Sequence, residues 1–169
     1  LKLYDRNPKY CDYVDKYAVR FHISKTIGSQ YLIPIIGLYN SVEDINWDEL
    51  PEKFVLKCTH GSGSNVICLD KSQLSKKDAI RKLNKWMGRN WFWLGREWPY
   101  KKIKPRIICE QFISIEDTVP DDYKVLCFNG KAKIIEVHID RFNSHKQDFY
   151  DINWNKTSIS QGNTMSDSI

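Results

Sequence analysis

The order of candidate elements predicts an α+β protein of two small lobes, each built on an antiparallel sheet. Three features carry that expectation. A segment with helical spacing opens the chain, a strand pair closes on a Gly/Ser-rich tip, and a later strand pair closes on Asn129-Gly130.

The first segment, 11–27, repeats Tyr13, Tyr17 and Phe21 every fourth residue, with Val14 and Ala18 widening that face. This predicts one helix, stopped by Gly28. Residues 31–40 are apolar but broken by Pro34 and Gly37, which suits a short strand or extended edge. The acidic stretch 41–50 reads as a turn or short helix ending at Pro51. FVLKC (54–58) and VICLD (66–70) flank THGSGSN (59–65) and predict a hairpin. Ser72 or Ser75 can cap a helix reaching about Met87, with Ala79, Leu83, Trp86 and Met87 on one face. Residues 88–106 are irregular, aromatic and basic. RIICEQFI (106–113) is a strand, 116–122 a loop, and 123–128 with 131–140 a second hairpin, because Asn-Gly favours the tight primed turn. The tail 155–169 is polar and without period. The two lobes are expected to join near residue 108.

At 169 residues the chain can hold one domain or two small lobes. With 41% hydrophobic and 28% charged residues, the composition is that of a globular chain, which excludes a disordered one. No apolar run approaches the roughly 18 residues a membrane span needs, and no signal peptide opens the sequence. The first residue is Leu, so a longer natural chain is expected. Five cysteines, at 11, 58, 68, 109 and 127, include no CxxC pair, which argues against zinc. Cys58, Cys68, Cys109 and Cys127 lie in apolar strand-like runs, as buried reduced thiols do, and suggest the cytoplasm.

The net charge of +5 is uneven: residues 71–106 hold twelve Lys or Arg against two acids, +10, leaving −5 elsewhere. Such a stretch suits nucleic acid, anionic small molecules, or simply a solvated basic face. Trp86, Trp91, Trp93 and Trp98 read more readily as packing residues than as stacking platforms. His22 and His138 read as half-buried and strand-surface histidines, His145 with Asp148 as a surface pair, and Asp15 and Asp140 as partners of nearby cations.

The Gly/Ser tip is the most informative chemical feature. Gly61 and Gly63 let backbone N–H groups approach an anion, Ser62 and Ser64 add hydroxyls, and Lys57 places a compact charge on the strand before them. This suits a phosphate clamp, although an ordinary glycine-rich turn has the same composition. It is neither a Walker loop nor a dinucleotide fingerprint, since no helix follows directly. About fifty residues later, Cys109 to Ile113 end a strand with a carboxylate and exposed peptide groups, which could hold an adenine edge.

FVLKCTHGSGSNVICLD, REWPYKKIKPRIICEQFI, DDYKVLCFNGKAKIIEVHIDR and FYDINW follow one another in an order that resembles the TupA-like branch of the ATP-grasp superfamily. The opening DKYAVRFHI and the segment through 57 resemble it too, so the likeness runs from about Asp15 to Trp154. It implies an ATP-grasp-like α+β fold with an incomplete second lobe. Residues 1–50 would form an N-terminal helical segment, 51–108 the small lobe, 109–154 the start of the large lobe, and 155–169 a disordered tail. It implies ATP as ligand and Mg²⁺ as cofactor. The expected reaction is an ATP-dependent ligation of a carboxylate to an amine or hydroxyl through an acyl-phosphate. Its setting would be capsule, teichuronopeptide or other surface-polysaccharide synthesis, where such proteins are also labelled glycosyltransferases. The partners would be ATP and a glycan or peptide precursor, with no nucleic acid and no membrane span.

Residue by residue, Lys57 resembles the lysine on ATP phosphates. His60, Gly61, Ser62, Gly63, Ser64 and Asn65 resemble the loop above them. Glu110, Gln111, Phe112 and Ile113 resemble the hinge that reads adenine, through Glu110 or a backbone carbonyl. Asp122 and Lys124 resemble a motif near ribose and phosphates, and Arg141 a cation on the transferring phosphoryl group, with Lys124 and Arg141 as the catalytic pair. Lys16 and Arg20 face nucleotide or substrate, and REWPY (96–100) could touch the acceptor. Phe21 departs from the acidic residue the family commonly has there. The magnesium ligands of the family lie further along its sequence than Ile169; Glu136 and Asp140 are the nearby acids to weigh. The alternatives are a nucleotide-binding remnant without catalysis and a nucleic-acid binder acting through 71–106.

Overall fold

A computed structural model describes residues 4–114, 119–140, 144–162 and 165–166. They fall into two compact units, Leu1–Phe112 and Ile113–Ile169.

The first unit opens with two short helices, α1 (Lys9–Val14) and α2 (Val19–Thr26), where sequence periodicity predicts one. The break lies at Asp15, whose extended ψ of 117° leaves the helical region. Its carboxylate instead accepts from the N–H groups of Tyr17 at 2.8 Å and Ala18 at 3.2 Å. A short acidic side chain competes well for such amides, so it starts a new helix instead of continuing the old one. Gly28, at φ 110°, then ends α2 as expected.

Four antiparallel strands follow: β1 (Ile35–Tyr39), β2 (Phe54–Cys58), β3 (Asn65–Cys68) and, after two helices, β4 (Ile107–Gln111). Their spatial order is β1-β4-β2-β3. The strand from the end of the unit therefore lies between two from its first half, and the register sets Leu56 beside Cys109 and Val55 beside Glu110. Because strand side chains alternate, Phe54, Leu56, Cys58, Val66, Cys68, Ile107 and Cys109 share one face. That face packs against Ala79 and Leu83 of α3 (Lys76–Met87) and against Val42, Ile45, Trp47 and Leu50. Ser75 caps α3, accepting from the Asp78 N–H at 3.3 Å and donating to its carboxylate at 2.9 Å. The opposite sheet face holds Val55, Lys57, Asn65 and Glu110, and the site is built there.

Residues 88–106 contain a one-turn helix, α4 (Phe92–Gly95), and a short 3₁₀ segment, Trp98–Lys102. Trp93 is 60% exposed, against the packing role expected of it.

The second unit is a three-stranded antiparallel meander: β5 (Asp122–Phe128), β6 (Lys131–Ile139) and β7 (Lys146–Asp151). Asn129 and Gly130, at φ 49° and 73°, make the expected tight turn. Strand β7 carries no strand signal in the sequence and is not predicted from it. The tail, expected to be disordered, bonds back to it: Lys156 bridges Tyr150, and the Thr157 N–H donates to the Phe149 carbonyl at 2.8 Å. The reason is Asp148. It is fully buried, not part of a surface pair, and its carboxylate needs the Lys156 ammonium at 3.1 Å and the Ser166 N–H at 3.0 Å. Cys127 is exposed, contrary to expectation, because β5 carries Tyr123, Val125 and Phe128 exposed as well. Among the described residues, no helix is long and apolar enough to cross a membrane.

Candidate functional site

Strand β2 delivers Lys57 to the polar sheet face, and β4 delivers Glu110 beside it. The two groups meet at 2.7 Å. Arg20, on α2, reaches the other carboxylate oxygen at 2.9 Å and donates its second nitrogen to the Ile33 carbonyl at 2.6 Å. Glu110 is thus held between two cations and is 7% exposed. Lys16, at the α1–α2 junction, donates to the Gly61 carbonyl in the hairpin tip. Burial pushes the Lys16 ammonium below its usual range, and the charge of Lys57 pushes it the same way. Arg20 and Lys57 therefore share one carboxylate, and Lys16 holds the tip beside them.

The tip is anchored from below. The Cys58 N–H donates to the Ser64 carbonyl at 3.1 Å, and the Thr59 N–H to the Arg106 carbonyl at 2.9 Å. The Thr59 carbonyl accepts from the Lys16 N–H at 3.2 Å. Arg106 pairs with Asp15 at 3.1 Å and lies over the Tyr17 ring. Asp15 thus has the cationic partner expected of it, and the pair joins the helix junction, hairpin and β4. Gly61 is buried, with Trp91 close enough that a Cβ would lie 3.3 Å from the indole. Gly63, at φ 69°, faces open space, and Ser62 is exposed. His60 turns inward: its Nε2 sits 3.2 Å from the Trp86 carbonyl. Burial pushes its pKa down, against the carbonyls of Trp86 and Arg89. Ser64 is also buried, its hydroxyl 3.4 Å from the Ser62 carbonyl.

At the end of β4, the Gln111 N–H donates to the Pro34 carbonyl at 3.0 Å. Phe112 is half-buried and Ile113 exposed.

In the second unit, Lys124 lies opposite Glu136, with Asp122 opposite His138. Lys124 bonds Glu136 at 3.2 Å and contacts His138 Nε2, itself 2.6 Å from Glu136. Gln147 donates to the same carboxylate oxygen at 2.5 Å. Burial pushes the Glu136 carboxyl upward, but the bonds from Lys124, Gln147 and His138 outweigh it and hold it below the usual range. His138 is buried rather than on the strand surface, and His145 stacks on it with ring nitrogens 2.7 Å apart. Arg141 lies outside the described residues.

The sequence singles out Lys57, the tip and Glu110, and the fold brings them side by side. The sequence does not show the Arg20–Glu110 and Asp15–Arg106 pairs, nor Gln147 and His145 as members of the Lys124 cluster. The two ion pairs join residues 90 and 91 positions apart, which leave no local pattern.

An antiparallel sheet with a strand lysine, an amide-rich hairpin tip beside it and a paired glutamate on the neighbouring strand fits an α+β protein of the ATP-grasp kind. The chain matches the TupA-like ATPgrasp family model over residues 1–167 and belongs to that family. Comparison with curated proteins and with solved structures gives no significant match.

The cationic face fits nucleotide phosphates: three cations stand against one acid, with exposed amide and hydroxyl groups at the tip. Glu136 is already bonded to Lys124, His138 and Gln147, and among the described residues no group of three or more His, Cys, Asp or Glu could hold a metal. Magnesium therefore enters no step below.

Proposed function

We propose that this chain binds ATP on the polar face of the first sheet and serves an ATP-dependent ligase that activates a carboxylate. The supporting observation is the convergence of Arg20 and Lys57 on Glu110, with Lys16 bonded to the tip at the Gly61 carbonyl. Phosphates would take the ammonium groups of Lys57 and Lys16 and the peptide N–H groups of Gly61 to Asn65, with the hydroxyl of Ser62. His60, turned inward, would contribute its backbone, and Ser64 the shape of the tip. Both Glu110 oxygens are committed to cations, so its role is to orient Lys57 and Arg20. The adenine edge would then be read by peptide groups of Gln111, Phe112 and Ile113.

On the family resemblance, Lys124 and Arg141 are assigned to the transferring phosphoryl charge and Asp122 to the ribose. In the reaction the carboxylate oxygen attacks the γ-phosphorus, ADP departs, and an amine or hydroxyl displaces phosphate from the acyl carbon. The acceptor would belong to a glycan or peptide precursor of a surface polysaccharide, made in the cytoplasm.

Calorimetry with ATP, ADP and AMP tests the binding reading. ATP and ADP should bind more tightly than AMP, and Lys57→Met should weaken ATP by about tenfold or more, one charge-assisted contact. No heat with ATP or ADP, from wild type and variant alike, overturns it.

A further inference from the structure

Within the basic, aromatic stretch 88–106, Trp91 and Arg106 anchor the hairpin tip, and the α4 turn with Lys101 and Lys102 takes no part in the proposed nucleotide site. We propose that the α4 turn, with Lys101 and Lys102, docks the protein on an anionic lipid surface. Trp93 and Leu94 are neighbours on one helical turn, and they are 60% and 65% exposed. Single exposed apolar residues need no explanation. Here two cations stand on the same aromatic turn. The Arg96 guanidinium lies 4.9 Å from the Trp93 ring centre and 5.6 Å from that of Phe92. The Lys101 ammonium lies 5.1 Å from the Phe92 ring. Residues 88–106 hold six bases and one acid, +5, and Arg89, Arg96, Lys101, Lys102 and Lys104 are exposed.

The patch is built, not loose. Asn90 accepts from the Phe92 N–H at 3.1 Å and donates to the Lys101 carbonyl at 3.1 Å, which keeps the aromatic turn and the basic loop together. Trp91 packs inward on Gly61 and approaches Tyr100, so the turn is anchored by one indole and presents the next.

A Trp and a Leu leading a rim of cations match the interface of a bilayer: the apolar pair enters below the headgroups, and the cations meet anionic lipid. Nucleic acid would need an open ring to stack on. Arg96 and the edge of Phe92 already occupy Trp93, and Leu94 offers no π-face.

Flotation of the full chain with vesicles decides this. Phosphatidylcholine vesicles containing phosphatidylglycerol should carry the protein, pure phosphatidylcholine should not, and added salt should release it. Replacing Lys101 and Lys102 by Ser should lower partitioning about fivefold per charge. Trp93→Ala with Leu94→Ala should lower it about tenfold or more, with ATP-binding heat unchanged as the mark of an intact fold. No flotation at low salt overturns the proposal, as does equal flotation of wild type and both variants. Duplex DNA bound by wild type and lost on replacing Lys101 and Lys102 by Ser, without flotation, assigns the patch to nucleic acid instead.

Discussion

Glu110 is the residue on which the site turns. A carboxylate 7% exposed is costly unless paired, and it is paired twice, with Lys57 and Arg20. Glu110→Gln removes the negative charge and leaves two cations facing each other, with Lys16 already depressed by burial and by Lys57. The expected cost is about 3 kcal/mol of stability in the free protein. Triphosphate would replace part of the lost charge, so ATP should raise the melting temperature of the variant more than that of wild type. Thermal melts with and without ATP check this; an equal rise in both places the phosphates elsewhere. Lys57 and its loop were legible because strand, lysine and glycines are consecutive. The partners of Arg20 and Asp15 were not, because they lie 90 and 91 positions away and only the fold brings them near.

Among the elements, the first hairpin and α3 were plain in the sequence because each obeys one period from end to end. The 11–27 segment was not, because its apolar repeat continues through Asp15 while the carboxylate bonds the next helix's amides. Periodicity reports burial, whereas side-chain capping decides where a helix stops. Strand β7 was hidden for a related reason: KQDFYD buries Gln147 and Asp148 beside Phe149 and Tyr150, so polar and apolar residues are both inside and the alternation vanishes. Two substitutions test these elements. Ser75→Ala should cost about 1 kcal/mol through the α3 cap, read as a lower urea midpoint with unchanged slope. Gly63→Ala meets no neighbour within 4 Å but must hold φ 69°. It should cost about 1 kcal/mol from backbone strain alone and weaken ATP by loosening the tip, without disturbing α3.

Across the whole molecule, opposing titrations set stability at alkaline pH. Cys58 and Cys109 lie in the first core, 1% and 0% exposed. Burial pushes their thiols up from 9.0 to about 11 and about 12 respectively. In the unfolded chain both ionise near pH 9, so above that pH the folded state holds more protons than the unfolded one. Stability that is intact below pH 9 is then lost as pH rises towards 12. Lys16 acts the other way: its folded pKa is depressed, so the unfolded chain holds the extra proton just below 10.5, and stability rises with pH across that window. Burial raises the pKa of Cys68 and of the Tyr39, Tyr100 and Tyr150 phenols as well, so several groups act with the two thiols and Lys16 acts against them. At pH 10 each thiol has forfeited about one pKa unit, together roughly 3 kcal/mol. Urea midpoints should therefore fall between pH 8 and pH 10, and the double replacement of Cys58 and Cys109 by Ala, though less stable at pH 8, should flatten that fall. If the midpoint of the double variant falls as steeply as that of wild type, charges outside this core govern alkaline unfolding.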